Sequence, residues 1–343
     1  MRGWRCLALA CVLSLAAASA VAGDTSPPDA GQARAHALQS FQRDLVSVLA
    51  LRAEAQPLLG AALLARPLPR QGKGASFHAL IDRAVAASDA GPAVQWVRLA
   101  DCDTRGDACP NPTALRKLTE QAPDNAAVWL LKLDIDTRDV KSKAARADLA
   151  KAAASKLYDD YTGSSLTALA SVVGTLPPPP ATQGAAGPAG VQALLVLANA
   201  RLQPRPVLPV AAQMCDDAGD DAARKADCLR LGKLLEWGSS PLSRSLGLHL
   251  CEVLGDPAEQ AAARQQRRDL TWQVQNYSQL ALRAQDDPAL AQLLLAIARQ
   301  GGTEMAQITA VLRGRGISLT APGSWQPPSA DAAQDTSASA HSL

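Results

Sequence analysis

Apolar residues return every three or four positions along most of this chain, the spacing of helices that bury one face. Leu38, Phe41, Leu45, Val48 and Leu49 form such a stripe and predict a helix over 33–55. A shorter leucine-rich helix follows to residue 65 and stops before Pro67 and Pro69, which cannot donate into a helical ladder. From Ser76 the pattern repeats, predicting helices near 76–88, 92–102, 112–121, 124–137, 140–156 and 161–173. A second series is predicted near 191–202, 207–217, 220–237, 241–254, 257–285, 288–300 and 303–313. Between them, Leu176 to Gly190 opens with Pro177 to Pro180, continues in Ala, Gly and Pro, and reads as a non-helical linker. Several ends carry their own chemistry. Asp256-Pro257 and Asp287-Pro288 each pair an N-cap with a proline at the first helical position, while Gly301-Gly302, Gly314 and Gly316 supply stops.

Composition sharpens this to an all-α fold. The 343 residues include 70 Ala and 49 Leu but only 6 Trp, 3 Tyr and 2 Phe. Ala and Leu enter helices at little cost, and the residues that favour pleated surfaces are scarce. The expected architecture is stacked antiparallel helical hairpins in two blocks, 23–175 and 191–320, joined by the Pro-rich linker 176–190. A mobile tail is expected over 321–343, where Pro, Ser, Ala and Asp dominate. With 34 basic and 32 acidic side chains the formal net charge is +2, so the basic surplus that a nucleic-acid partner requires is missing.

Residues 1–22 read as a secretory signal peptide. Arg2 and Arg5 are its positive end, Leu7 to Ala18 its apolar core, and Ala20-Val21-Ala22 a small-x-small cleavage site. A lipoprotein reading centred on Cys11 is disfavoured, because the apolar run continues past that cysteine. No later stretch reaches the roughly 18 apolar residues of a membrane span. A soluble periplasmic or secreted protein is therefore expected after cleavage near Ala22.

Export places cysteines where disulfides persist. Cys102 and Cys109 bracket a short loop containing Arg105-Gly106-Asp107, and Cys215 and Cys228 bracket the acidic turn from Asp216 to Asp221. Each pair would staple neighbouring helices, leaving Cys251 among Leu248, Leu250 and Leu254 as a buried free thiol. A swapped bridge using Cys251 stays open, since five thiols forming two bridges allow fifteen arrangements.

Catalytic spacing is missing. His36, His78, His249 and His341 read as isolated, no Gly-x-Ser-x-Gly or Ser-x-x-Lys pattern occurs, and no Cys-x-x-Cys pair suggests zinc. No catalytic, cofactor or metal residue is assigned. Glu54, Glu120, Glu236, Glu252, Glu259 and Glu304 are the whole glutamate inventory. The acidic turn lacks the alternating ligands of a calcium loop and reads as helix capping around Gly219. Arg105-Gly106-Asp107 is ordinary turn chemistry before it is an adhesive motif.

Trp96 and Trp129 lie 33 residues apart, and Leu115 and Leu149 lie 34 apart, the period of stacked helical hairpins. Pro123-Asp124-Asn125-Ala126-Ala127-Val128-Trp129 resembles the junction between repeats of the tetratricopeptide family, with Ala145, Leu149 and Ala152 at its packing positions. Leu133 and Asp136 depart from that pattern, where the family has Gly and Tyr. The resemblance covers 60 to 80 residues and implies hairpins that hold other proteins. Together with the signal peptide and the Cys-bracketed loop, it also resembles secreted proteins of Gram-negative bacteria. The expected role is a non-enzymatic scaffold for a protein or peptide partner. The alternatives are a cell-wall hydrolase or lyase whose acid is distant in sequence, and a small-molecule carrier.

Overall fold

The computed structural model describes residues 30–69, 72–102, 109–138 and 142–327. The expected signal peptide, the Arg105-Gly106-Asp107 loop, His341 and the stretch 328–343 lie outside the described residues. The helices are α1 (Ala30–Leu49), α2 (Ala55–Ala65), α3 (Phe77–Ala86), α4 (Pro92–Arg98) and α5 (Pro112–Gln121). They continue as α6 (Ala126–Arg138), α7 (Ser142–Ala154), α8 (Thr162–Val172), α9 (Gly187–Ala200) and α10 (Leu208–Asp216). The last five are α11 (Ala222–Leu235), α12 (Pro241–Leu254), α13 (Pro257–Arg283), α14 (Pro288–Gln300) and α15 (Glu304–Gly314). The described chain is all-α, and its one β-type pairing is an isolated bridge between Asn125 and Leu157.

Among the boundaries that differ from the sequence reading, two bear on the architecture. The helix expected over 33–55 ends at Leu49, and a new helix starts at Ala55. The break has no local signature because distant side chains satisfy it. Arg83 donates to the carbonyls of Ala50 and Arg52, and Asp89 Oδ1 accepts from the Ala55 amide at 3.0 Å. The linker read as non-helical contributes the first turn of α9, Gly187 to Gly190. Pro188 is tolerated there because first-turn amides have no intrahelical partner. Upstream, Pro180–Thr182 forms a 3-10 turn, and Arg34 Nε donates to the Thr182 carbonyl at 3.2 Å, tying the segment to α1.

Burial explains the arrangement. Leu58 to Ala65 of α2 are all buried, the pattern of a helix surrounded by others rather than lying on a surface. It packs against α1, α3, α4, α8 and α9. One hydrophobic cluster gathers α1 to α3, α8, α9 and α13 to α15; the other gathers α5 to α7, α10 and α11, with α4 and α12 feeding both. Each cluster draws on residues from both sides of 176–190.

Between the clusters runs a buried polar seam centred on the turn 158–163. Ser239 Oγ donates to Asp160 Oδ1 at 3.3 Å, and the Thr162 amide donates to the same oxygen at 3.2 Å. Gln203 Nε2 donates to the Asp160 carbonyl at 2.9 Å, and Gln307 Nε2 to the Gly163 carbonyl at 3.2 Å. Tyr161 has φ 56°, uncommon for a side-chain-bearing residue, and its ring packs on Trp96 at 5.5 Å between centroids. Gly163 is required by proximity, since a Cβ there would lie 2.0 Å from the Gly302 carbonyl oxygen.

Candidate binding groove between two helices

α9 and α13 meet near Gly190, where the Ala186 amide donates to the Gln285 carbonyl at 3.2 Å. Beyond that junction α13 packs against α12 and α15, leaving between itself and α9 a groove of about 340 Å³. Leu194, Leu197 and Ala198 form one wall, Ala281 and Leu282 the other, and Arg201 stands at the end away from Gly190. The run from Gly190 to Arg201 is about 16 Å long at 1.5 Å per residue. Leu282, on the α13 wall, is 70% exposed.

At the Arg201 end the groove meets the polar seam. Tyr277 of α13 and Leu197 of α9 also line a smaller depression that reaches Gln307. Glu304, one turn before Gln307, opens α15 and is half-buried. Burial pushes its carboxyl up to about 7, the charge of Asp160 adds to that, and Arg205 and Arg201 pull the other way. Burial likewise pushes the Tyr277 phenol up to about 12, reinforced by Glu304 and opposed by Arg201. A carboxylate in the first turn of a helix is normally favoured by the macrodipole, so burial beside another acid outweighs that field here. Among the described residues, Arg201, Arg205 and Glu304 form no hydrogen bond or ion pair within 4 Å through their side chains. The exposed Arg201 guanidinium at the end of the apolar groove can accept a carboxylate, Arg205 acts on the same Glu304, and Glu304 can take up or release a proton near neutrality.

The cysteines singled out in the sequence lie elsewhere. Cys102 is bonded to Cys109 across the α4–α5 connection, and Cys215 to Cys228 across α10–α11. Cys251 is a buried free cysteine, with Sγ 4.0 Å from Glu236 Oε2. Burial, followed by Glu236 and Glu259, pushes its thiol up to about 11, which keeps it protonated and unreactive. Two histidines read as isolated have partners. His78 Nδ1 lies 2.8 Å from Asp101 Oδ2 and Nε2 lies 3.2 Å from Asp82 Oδ2, while His249 lies 3.7 Å from Asp216. His78, Asp82 and Asp101 have the donor set of a metal site. Both imidazole nitrogens already face carboxylates, however, and Arg98 holds Asp82 at 2.9 Å, which makes the group an ion-pair cluster. The sequence reading missed Asp160, Arg201, Arg205 and Tyr277 and counted Glu304 only as one of six glutamates. Residues on different helices, dozens of positions apart or more, carry no spacing signal.

No protein-family model, curated protein or solved structure matches this chain.

Proposed function

We propose that this protein is a non-enzymatic binding protein of an oxidising compartment. Its α9–α13 groove takes an apolar peptide segment whose carboxylate is held by Arg201 and Arg205. The observation that carries this reading is the pairing of an open apolar groove with the exposed Arg201 guanidinium at its end, which has no ion-pair partner within 4 Å among the described residues, with Arg205 acting on the same Glu304. A groove about 16 Å long accommodates about five extended residues at 3.3 Å each. The volume lies at the lower end of ordinary ligand sites. The signal-peptide pattern and two disulfides favour export to the periplasm or beyond. The resemblance to hairpin repeats that hold other proteins supports the same class of role.

The test is calorimetric titration with short leucine-rich peptides ending in a free carboxylate or in an amide. Saturable binding weakened at least tenfold by amidation, and equally by Arg201→Ala with Arg205→Ala, supports the reading. Equal binding of both peptides, or none, ends it. A second reading, cell-wall hydrolysis, is favoured by one observation: the Glu304 carboxyl sits near neutrality beside Asp160, as a general acid would. Zymography on peptidoglycan comparing the parent with Glu304→Gln separates the two, since a clearing zone lost in the variant would make the protein an enzyme.

A further inference from the structure

After α15 the chain turns back through Gly316, at φ +68°, and lays residues 317–325 along α13. The contacts that hold it have an unusual form. Arg268, Asp269, Trp272 and Gln273, which share one face of the helix, reach main-chain atoms of the segment. Trp272 Nε1 donates to the Ser318 carbonyl at 2.8 Å and Gln273 Nε2 to the Leu319 carbonyl at 2.8 Å. Asp269 Oδ1 accepts from the Ala321 amide at 2.9 Å. Arg268 donates to the carbonyls of Pro322, Gly323 (3.1 Å) and Trp325 (2.6 Å). The Trp325 indole meets Trp272 edge-on at 5.5 Å and lies under the Arg268 guanidinium at 5.8 Å.

Four side chains that satisfy the backbone of one short segment, which itself closes a turn from the Trp325 amide to the Pro322 carbonyl at 3.0 Å, are with one aromatic clamp the elements of peptide recognition. Tail packing in a helical protein is ordinarily made by apolar side chains, and here Ile317 and Leu319 do pack on the core. Ala321 is buried as well, and from Pro322 to Trp325 the contacts are different, being main-chain hydrogen bonds and an indole. We propose that this face of α13 is a peptide-binding site for a short turn-forming segment bearing a tryptophan. It is occupied in the resting chain by residues 318–325 and open to the same segment from a second copy. Every copy carries the matching sequence, and Gly316 supplies the backbone freedom to redirect it. Exchange between copies would therefore preserve every contact, the condition for domain swapping.

The test uses the full chain and a fluorescein-labelled peptide of residues 317–326. In the parent the tethered segment competes at an effective concentration on the order of millimolar, so the peptide binds weakly. Trp325→Ala in the chain removes the clamp from the tethered copy and should raise peptide affinity at least tenfold by anisotropy. Adding Arg268→Ala to that variant should abolish binding, and a scrambled peptide should not bind. Equal binding with and without Arg268, or none to the Trp325→Ala chain, overturns the proposal. Hydrogen exchange on the unaltered chain gives an independent reading. Millimolar peptide should speed exchange of the Ala321 amide several-fold as it displaces the tethered segment, and unchanged exchange would count as refutation.

Discussion

Glu304 shows how one residue can tie stability to pH. Its carboxyl sits at about 7 in the fold against an ordinary 4.5, so between those values the folded chain binds more protons than the unfolded one. The contribution is complete below the ordinary value and is lost as pH rises through 7. At 1.36 kcal/mol per unit the ceiling is about 3 kcal/mol, reduced by solvent at a half-buried site. Urea midpoints should therefore show the parent losing about 1–2 kcal/mol relative to Glu304→Gln between pH 5 and pH 8. A constant difference across that range would mean the carboxyl titrates normally. Other shifted groups, such as Asp159 with its raised carboxyl, are common to both chains and cancel in the comparison.

For single helices, the caps readable in sequence are the ones the fold uses. Asp256 accepts from the amides of Ala258 and Glu259, and Glu259 closes the box at the Asp256 amide. Asp287 accepts from Leu290 and Asp221 from Arg224. Asp256→Ala and Asp287→Ala should each cost about 1 kcal/mol in denaturant titration and should add in the double variant, since they cap different helices. Their legibility follows from range, because a cap and its amides lie within four residues. The end of α1 is the contrast: its partners Arg83 and Asp89 come from more than thirty positions away, so nothing local announced the break. Gly163 is of the same kind. A methyl group there must displace the Gly302 backbone, and Gly163→Ala should lower stability by about 3 kcal/mol or prevent folding, measured by soluble yield and melting.

For the whole molecule, two clusters joined through a polar seam are stapled locally by Cys102–Cys109 and Cys215–Cys228, with sequence separations of 7 and 13. Loop-entropy reasoning gives each roughly 2.5 to 3 kcal/mol. Replacing Cys215 and Cys228 together by Ala should lower the melting temperature clearly, because both lie in the second cluster between α10 and α11. Thiol titration of the chain without residues 1–22 should find one sulfhydryl, Cys251, reacting only after denaturant is added. Reaction of five would remove both staples.

Short-range physics was settled by the residues themselves: a helical composition, most helix positions, the caps at Asp256 and Asp287, and the bracketing of neighbouring helices by cysteine pairs. Each depends on atoms within about a dozen positions of one another, and hydrophobic periodicity encodes such contacts directly. The groove was decided only by tertiary packing. Arg201, Tyr277 and Glu304 meet because α9, α13 and α15 converge on a buried turn carrying Asp160. No interval in the chain specifies how far α13 stands from α9. Burial next to another acid, rather than the identity of the residue, is what turns one of six glutamates into a group that titrates near neutrality.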